Sequence, residues 1–315
     1  MLVVVYTISY TTMPTTSIVV LDSEITEPGA EKSAKEVREE GLDKFYTLPE
    51  TVDKCMASLG ELYDWKTWDL IVEPGAGNGS FYTKIPRRCK IGMDICPEHP
   101  DIEKANFFHY WPEKRRKNIL VLGNPPFGKV SSLAIKFFNH ATTWCEVIAF
   151  IVPRTFRKHS VQNKLNPRFC LVFDEDIPTT PCSFSPPIAA KCCFQVWEKC
   201  ETAREIVRLP TKHDDWTFLP YGPLDETGQP TPPESADFTV RAYGGKCGDI
   251  RTSDLDALRP KSWHWIKSNI DKELLIKRFG ELDYAASENT ARQNSIGRAE
   301  FVLLYTEYME SHVDA

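Results

Sequence analysis

No Cys-x-x-Cys pair occurs among the ten cysteines of this 315-residue chain, so it contains neither a zinc ribbon nor a thioredoxin-like redox motif. Their irregular spacing sets no disulfide framework. The adjacent Cys192 and Cys193, which point to opposite faces if they lie in a strand, suit neither a mutual disulfide nor a shared zinc. The expectation is buried free thiols in a reducing, intracellular compartment. His109 and His140 have no partners at metal-ligand spacing, and no metal is expected. No apolar run reaches the roughly 18 residues that a bilayer-crossing helix needs, so no membrane partner is expected. The opening run from Met1 to Tyr10 is apolar but has no basic residue before it and is broken by Thr7 and Ser9, which argues against a signal peptide; Met13 is an equally good start. Strong positive charge is missing too. A formal charge of -6 and a pI near 5.7 exclude a protein that coats nucleic acid without specificity, since that task needs a positive field. A local basic groove remains open, with Lys114 to Lys117 and the set Arg154, Arg157, Lys158, His159, Lys164 and Arg168 as candidates beside the plainer reading of solvated faces.

What the chain does have is a run, Ile119-Leu120-Val121-Leu122-Gly123, that ends in Asn124-Pro125-Pro126-Phe127. It reads as a buried strand breaking into a rigid turn, which is where an open α/β sheet places its chemistry. The two prolines fix φ and remove two backbone donors, so the neighbouring carbonyls stay free as acceptors. Asn124 adds an amide oxygen and Phe127 a flat apolar face. Such a group can hold a planar ligand bearing an NH2. The plainer reading, equally weighted on these residues alone, is a Pro-Pro strand terminator with Phe127 returning to the core.

Seven apolar runs recur along residues 44–200: Trp68–Val72, Cys89–Met93, Asn106–His109, Ile119–Leu122, Val147–Val152, Phe169–Phe173 and Lys191–Trp197. Read as strands separated by helix-length stretches, they predict an α/β fold with a mainly parallel sheet covered on both faces. Val130 to Thr143 carries apolar residues at helical spacing and predicts a crossover helix. The last two runs, joined through a Pro-rich span at Ile177 to Pro187, predict a hairpin-like pair at the sheet edge. Residues 1–43 are expected to be a flexible leader, because 23–43 are charged and poor in large apolar groups. Six prolines between 210 and 233 mark 201–236 as a linker or long loop. Residues 237–315 then form a small α+β accessory region, with strand-like runs at 238–243 and 262–268 and helical ones at 272–279 and 298–309.

A second turn follows Leu70-Ile71-Val72: Glu73-Pro74-Gly75-Ala76-Gly77-Asn78-Gly79. Glycine there allows a sharp bend and close approach to a ligand, or serves tight packing alone. About twenty residues on, Asp94 ends another strand, where a carboxylate can accept two ribose hydroxyls. The glycines do not give G-x-G-x-x-G, so an adenosine ligand without a pyrophosphate fits better than a dinucleotide.

Lys44-Phe45-Tyr46-Thr47-Leu48-Pro49, then Glu73-Pro74-x-x-Gly77-x-Gly79, then Asp94, then Asn124-Pro125-Pro126-Phe127 together resemble the class I S-adenosylmethionine-dependent amino-methyltransferases of the adenine-N6 group. The resemblance covers residues 44–200 and implies a Rossmann-like, seven-stranded, mostly parallel sheet with helices on both faces. It also implies roles. Phe45, Tyr46 and Thr47 would close over the methionine moiety; Glu73, Gly75, Gly77 and Gly79 would cradle the cofactor; Asp94 would hold its ribose. Asn106 and Phe107 stand where the family has an acidic and an aromatic residue against the cofactor's adenine, with Asn a departure from that pattern. Asn124, Pro125, Pro126 and Phe127 would be catalytic. Lys129, Arg154 and Arg157 are the expected contacts to substrate phosphates, set against the plainer reading of exposed cations.

The implied reaction is methylation of the adenine 6-amino group in nucleic acid, DNA ahead of RNA. Two alternatives are a protein-glutamine acceptor, whose enzymes usually show NPPY, and a degenerate, non-enzymatic subunit. In the tail, Arg241 to Asp249 and Trp263 to Lys267 have a composition suited either to clasping nucleic acid or to packing. Asn289 to Ile296 resembles a segment of target-recognition regions in bacterial modification enzymes. Whether the chain works alone, as a homodimer or beside a basic partner subunit is left open.

Overall fold

The computed structural model describes residues 45–312, so the expected leader 1–43, Lys44 and the two candidate start positions lie outside the described residues. In chain order the elements are β1 (Tyr46–Thr47), α1 (Pro49–Leu62), β2 (Leu70–Pro74), β3 (Lys90–Asp94), β4 (Glu103–Lys104), β5 (Ile119–Gly123), α2 (Ser132–Ala141), β6 (Val147–Pro153), α3 (His159–Gln162), β7 (Phe169–Ile177), β8 (Phe184–Ser185) and β9 (Cys192–Lys199). Seven of these strands form one sheet in the order β4-β3-β2-β5-β6-β9-β7. The first five are parallel, and β9 runs antiparallel between β6 and β7. This is a Rossmann-like α/β fold. From β2 the chain winds outward to β4, then returns to lay β5 on the other side of β2, so the carboxyl ends of β2 and β5 flank the point where the strand order reverses.

Alternation along the central strands explains why the sheet is buried on both faces. Val72, Val121, Ile148 and Phe150 face α2, whose Ala134, Ile135, Phe137, Phe138 and Ala141 fall on one stripe at i, i+1, i+3, i+4 and i+7. Ile71, Leu120, Leu122 and Ala149 face the opposite layer, where α1 contributes Val52, Cys55 and Leu59. Pro49 at the first helical position gives α1 a pre-set φ and costs it no hydrogen bond. Cys192 and Cys193 lie in opposite layers, as their adjacency in a strand requires.

Two expectations are corrected. Asn106–His109 is not a strand: Phe107–His109 forms a 3-10 turn capped by the Asn106 side chain, which accepts from Phe108 N at 3.0 Å. Phe107 and Phe108 both pack on Phe137, which alternating strand geometry would forbid, and the outermost strand is Glu103–Lys104 instead. Nor are all cysteines free. Cys170 and Cys200, 6.0 Å apart between Cα atoms, form a disulfide linking the start of the edge strand β7 to the end of β9. The hairpin expected from these two strands is present, in register from Phe169 with Lys199 to Ile177 with Cys192.

The chain continues through β10 (Trp216–Phe218), β11 (Phe238–Arg241), β12 (Ile250–Arg251), β13 (Trp263–Ser268), α4 (Lys272–Gly280) and α5 (Arg298–His312). Its four strands form an antiparallel sheet in the order β10-β13-β11-β12. The 201–236 stretch, read from its prolines as linker, thus contributes a strand. The reason is Trp216, whose ring meets Tyr305, Phe279 and Phe301 edge-on at 4.8, 5.1 and 5.8 Å, in a separate aromatic core. Trp263 and Trp265 are buried as well, so packing accounts for both.

Candidate functional site

Three segments distant in sequence meet at the carboxyl ends of β2 and β5. The segment before α1 pairs as β1 with β8 of the Pro-rich β7–β9 connection, Tyr46 opposite Ser185 and Thr47 opposite Phe184. That pairing brings Phe45, Tyr46 and Thr47 over both turns. Asn124 Nδ2 donates to Phe45 O at 3.3 Å and to Thr47 Oγ1 at 3.2 Å. Because a carbonyl can only accept, the amide orientation is fixed: Nδ2 faces the β1 segment and Oδ1 is left with no protein donor among the described residues.

Two cavities adjoin this amide. One, of about 300 Å³, is lined by Phe45, Tyr46, Gly75, Gly77, Met93, Asp94, Ile95, Asn106, Phe107, Phe108, Asn124, Pro126 and Phe137, among others. The second, of about 250 Å³, is lined by Phe45 and the whole Asn124-Pro125-Pro126-Phe127 turn, by Gly128, Val130 and Ser131 after it, by Pro153 and Thr155, and by Phe184, Ile188 and Ala190. Ala291 and Arg292 complete its wall. Phe45, Asn124 and Pro126 belong to both.

In the first cavity the Asp94 carboxylate accepts from Gly77 N at 3.0 Å and from Cys96 N at 2.7 Å. Each oxygen holds one backbone amide and retains a lone pair for a ligand hydroxyl. Gly77 has φ +51°, and a Cβ there would lie 2.8 Å from Tyr46 Cε1, so no other residue fits beneath that ring. Burial and the Glu98 carboxylate push the Tyr46 phenol above its ordinary value, keeping it neutral. Phe107, 2 % exposed and stacked 5.1 Å from Phe137, forms an aromatic floor. Asn106 Oδ1 already accepts the cap bond from Phe108 N, so its Nδ2 donors and one remaining lone pair are what it can offer a ligand.

Not every expected residue reaches a cavity. Glu73 is buried beneath Gly123 and accepts from the backbone N–H groups of Phe81 and Tyr82, so it orders the glycine turn from below. Burial raises its carboxyl to about 8, and Oε2 has no partner among the described residues. Gly79 packs on His99, and Lys129 is exposed outside the second cavity. Arg154 pairs with Asp176 at 2.7 Å; Arg157 grips Asp174 through two of its nitrogens and reaches Asp176 at 2.8 Å. Both arginines, expected at substrate phosphates, are paired with carboxylates of β7 and line neither cavity.

Sequence reading missed the walls that come from elsewhere. Phe184, Ile188 and Ala190 arrive through the β1–β8 pairing, which leaves no local pattern. Ala291 and Arg292 arrive because the C-terminal region docks: Lys191 N donates to Ala291 O at 2.9 Å, Lys191 Nζ to Asn294 Oδ1 at 2.5 Å, and Lys158 Nζ to Ser295 O and Glu300 Oε2 at 3.2 and 2.9 Å. From the far side, His264 Nε2 lies 3.0 Å from Ile296 O. The turn leading out of Phe127 is strained: Val130 and Ser131 hold φ of 52° and 59°, a region non-glycine residues avoid, the β-branched Val130 most of all, at a cost of about 1–3 kcal/mol each.

No family model matches the chain, and no curated protein matches it. Among solved structures it is similar to magnesium protoporphyrin IX methyltransferase (ChlM) from Synechocystis PCC 6803, at 12% identity over 48% of this chain and 79% of that one, with a TM-score of 0.37. It is similar also to the 23S rRNA methyltransferase ErmE, at 16% identity over 52% and 72% of the two chains and a TM-score of 0.36. A third likeness is to Thermoplasma acidophilum 1320, at 14% identity over 47% and 86%, with a TM-score of 0.34.

Proposed function

We propose that this chain transfers a methyl group from S-adenosylmethionine to the 6-amino group of adenine in nucleic acid, DNA ahead of RNA. The observation that carries the reading is the shared wall of the two cavities, where a fixed amide oxygen stands between a slot lined by Asp94, Phe107 and Gly77 and a mostly apolar slot closed by the Pro-Pro-Phe turn.

The residues of the first cavity fit the cofactor on chemical grounds. Asp94 offers acceptors to ribose hydroxyls, the Phe107–Phe108 floor and Ile95 suit a purine, and the Gly77 turn under Tyr46 leaves backbone room for an extended aliphatic tail. When bound, S-adenosylmethionine supplies a methyl group on a positively charged sulfur. The chain's own part is positioning. Asn124 Oδ1 and the Pro125 carbonyl accept the two hydrogens of the amino nitrogen, which draws its lone pair out of conjugation and aims it across the shared wall. Phe127 stacks on the base, which is taken from a single strand or extruded from a duplex. Among the described residues lining the second cavity there is no carboxylate or imidazole, so the proton leaves to water once the nitrogen has become cationic.

Incubation with radiolabelled cofactor and unmethylated DNA, RNA and protein tests the reading. Label is expected in adenine of nucleic acid from the wild type and is lost in Asn124→Ala, which keeps cofactor affinity. Label confined to protein would move the acceptor to a glutamine amide, and undiminished turnover by Asn124→Ala would overturn the mechanism.

A further inference from the structure

Among the described residues, Arg292 is the one charged residue lining the second cavity, and its guanidinium makes no hydrogen bond or ion pair with any of them. Its surroundings make that notable. The arginines that sequence reading assigned to phosphate, Arg154 and Arg157, are held by Asp174 and Asp176 on β7. The rest of the cavity is apolar or neutral: Phe45, Phe127, Pro153, Phe184, Ile188 and Ala190, with the hydroxyls of Ser131 and Thr155 bonded to each other at 2.8 Å.

The backbone that carries Arg292 is pinned. Ala291 O is tied to Lys191 N, Asn294 Oδ1 to Lys191 Nζ, and Ser295 O to Lys158 Nζ, so the C-terminal region's segment lies against the start of β9 and the end of β6's following turn. A free cation on a fixed backbone at the rim of an otherwise uncharged slot matches a ligand whose inserted part is neutral and planar and whose outer part is anionic. A nucleotide has that shape, whereas a glutamine side chain in a protein does not.

Building on the function proposed above, we infer that Arg292 binds a phosphate flanking the acceptor adenine, so that the C-terminal region supplies the anion contact of a slot whose chemistry comes from the sheet. The guanidinium fork presents two parallel donors to phosphate oxygens, which also fixes the strand's register over the slot.

The experiment measures methyl transfer by the full chain to PCR-amplified, unmethylated DNA over a range of KCl concentrations, alongside cofactor affinity. Arg292→Gln is expected to raise KM for DNA about tenfold and to flatten the dependence of log(kcat/KM) on log[KCl] by about 0.9, the value of one lost duplex phosphate contact. Cofactor affinity and kcat at saturating DNA stay within about twofold, because the residue is exposed and touches only the second cavity. Arg292→Lys keeps the salt slope with a smaller rise in KM, since it retains the charge and loses the fork. An unchanged slope and KM in Arg292→Gln would sink the assignment while leaving the parent reaction standing. A wild-type chain that labels protein and no nucleic acid would sink both.

Discussion

Glu73 offers the sharpest physical test of the β2–β5 junction, because its carboxyl is buried, has one unpartnered oxygen and sits at about 8 against an ordinary 4.5. Desolvation is the main cause and Asp94 adds to it; the amides of Phe81 and Tyr82, and Lys90, oppose it without cancelling it. A carboxyl raised on folding contributes no penalty below its unfolded value and an increasing one as pH climbs toward its folded value. Between pH 4.5 and 8 the unfolded chain releases this proton while the native chain keeps it. Each pH unit in that window then costs 1.36 kcal/mol, so the whole span comes to roughly 5 kcal/mol and the interval from pH 5 to 7 to about 2.7 kcal/mol. Glu73→Gln removes the titration and retains an oxygen for the two amides. Its stability relative to wild type is expected to rise by about 2.7 kcal/mol from pH 5 to 7. Urea titrations at pH 5, 6 and 7, read by hydrogen exchange of the β2 amides, keep the separate aromatic core of the C-terminal region out of the measurement. A difference between the two proteins that stays constant within about 0.5 kcal/mol across that range would refute the reasoning.

Other expectations are equally concrete. Asn124→Asp places an oxygen where Nδ2 faces Phe45 O and should lower kcat by about a hundredfold or more with cofactor affinity kept within severalfold, measured by single-turnover transfer and equilibrium dialysis. Gly77→Ala meets both a left-handed φ and the Tyr46 ring, and should weaken cofactor binding while costing at least about 1–2 kcal/mol of stability by denaturant titration. Burial holds His264 at about 4 against an ordinary 6.5, so its contribution is complete above pH 6.5 and falls away toward pH 4 by roughly 3 kcal/mol; His264→Gln should flatten that acid limb in a thermal-melt series. Trp216→Ala empties the centre of the C-terminal aromatic core and should cost about 3–5 kcal/mol there, as read by hydrogen exchange in β11 and β13.

The strands of the parallel sheet were legible because burial on both faces writes near-continuous apolar runs, and the turn after β5 was legible because Pro-Pro cannot continue a strand. The Asn106–Phe107 segment misled for a physical reason: adjacent aromatics that share one neighbour, Phe137, have the composition of a strand but the geometry of a capped turn. β10 was hidden among prolines because it is short and its stability comes from one tryptophan docking on helices up to ninety residues away. Pairings between distant segments carry no local signal. Cys170 with Cys200, Thr47 with Phe184 and Lys191 with Ala291 are all of this kind, and the last two bring Phe184, Ile188, Ala190, Ala291 and Arg292 to the wall of the second cavity. The arginines at 154 and 157 were correctly placed near the carboxyl edge of the sheet, yet nothing in their own segment announced that Asp174 and Asp176 would occupy them.

The wall common to both cavities has a thermodynamic consequence. Asn124 is oriented by the Phe45 carbonyl, and Phe45 and Asn124 each face both slots. Whatever ordering of that carbonyl and amide the first ligand must impose, the second finds already done. Any factor by which filling the first cavity changes affinity at the second is then the factor by which filling the second changes affinity at the first. The order in which the two ligands arrive becomes a kinetic matter, while the size of their mutual effect is a property of the shared wall of Phe45, Asn124 and Pro126.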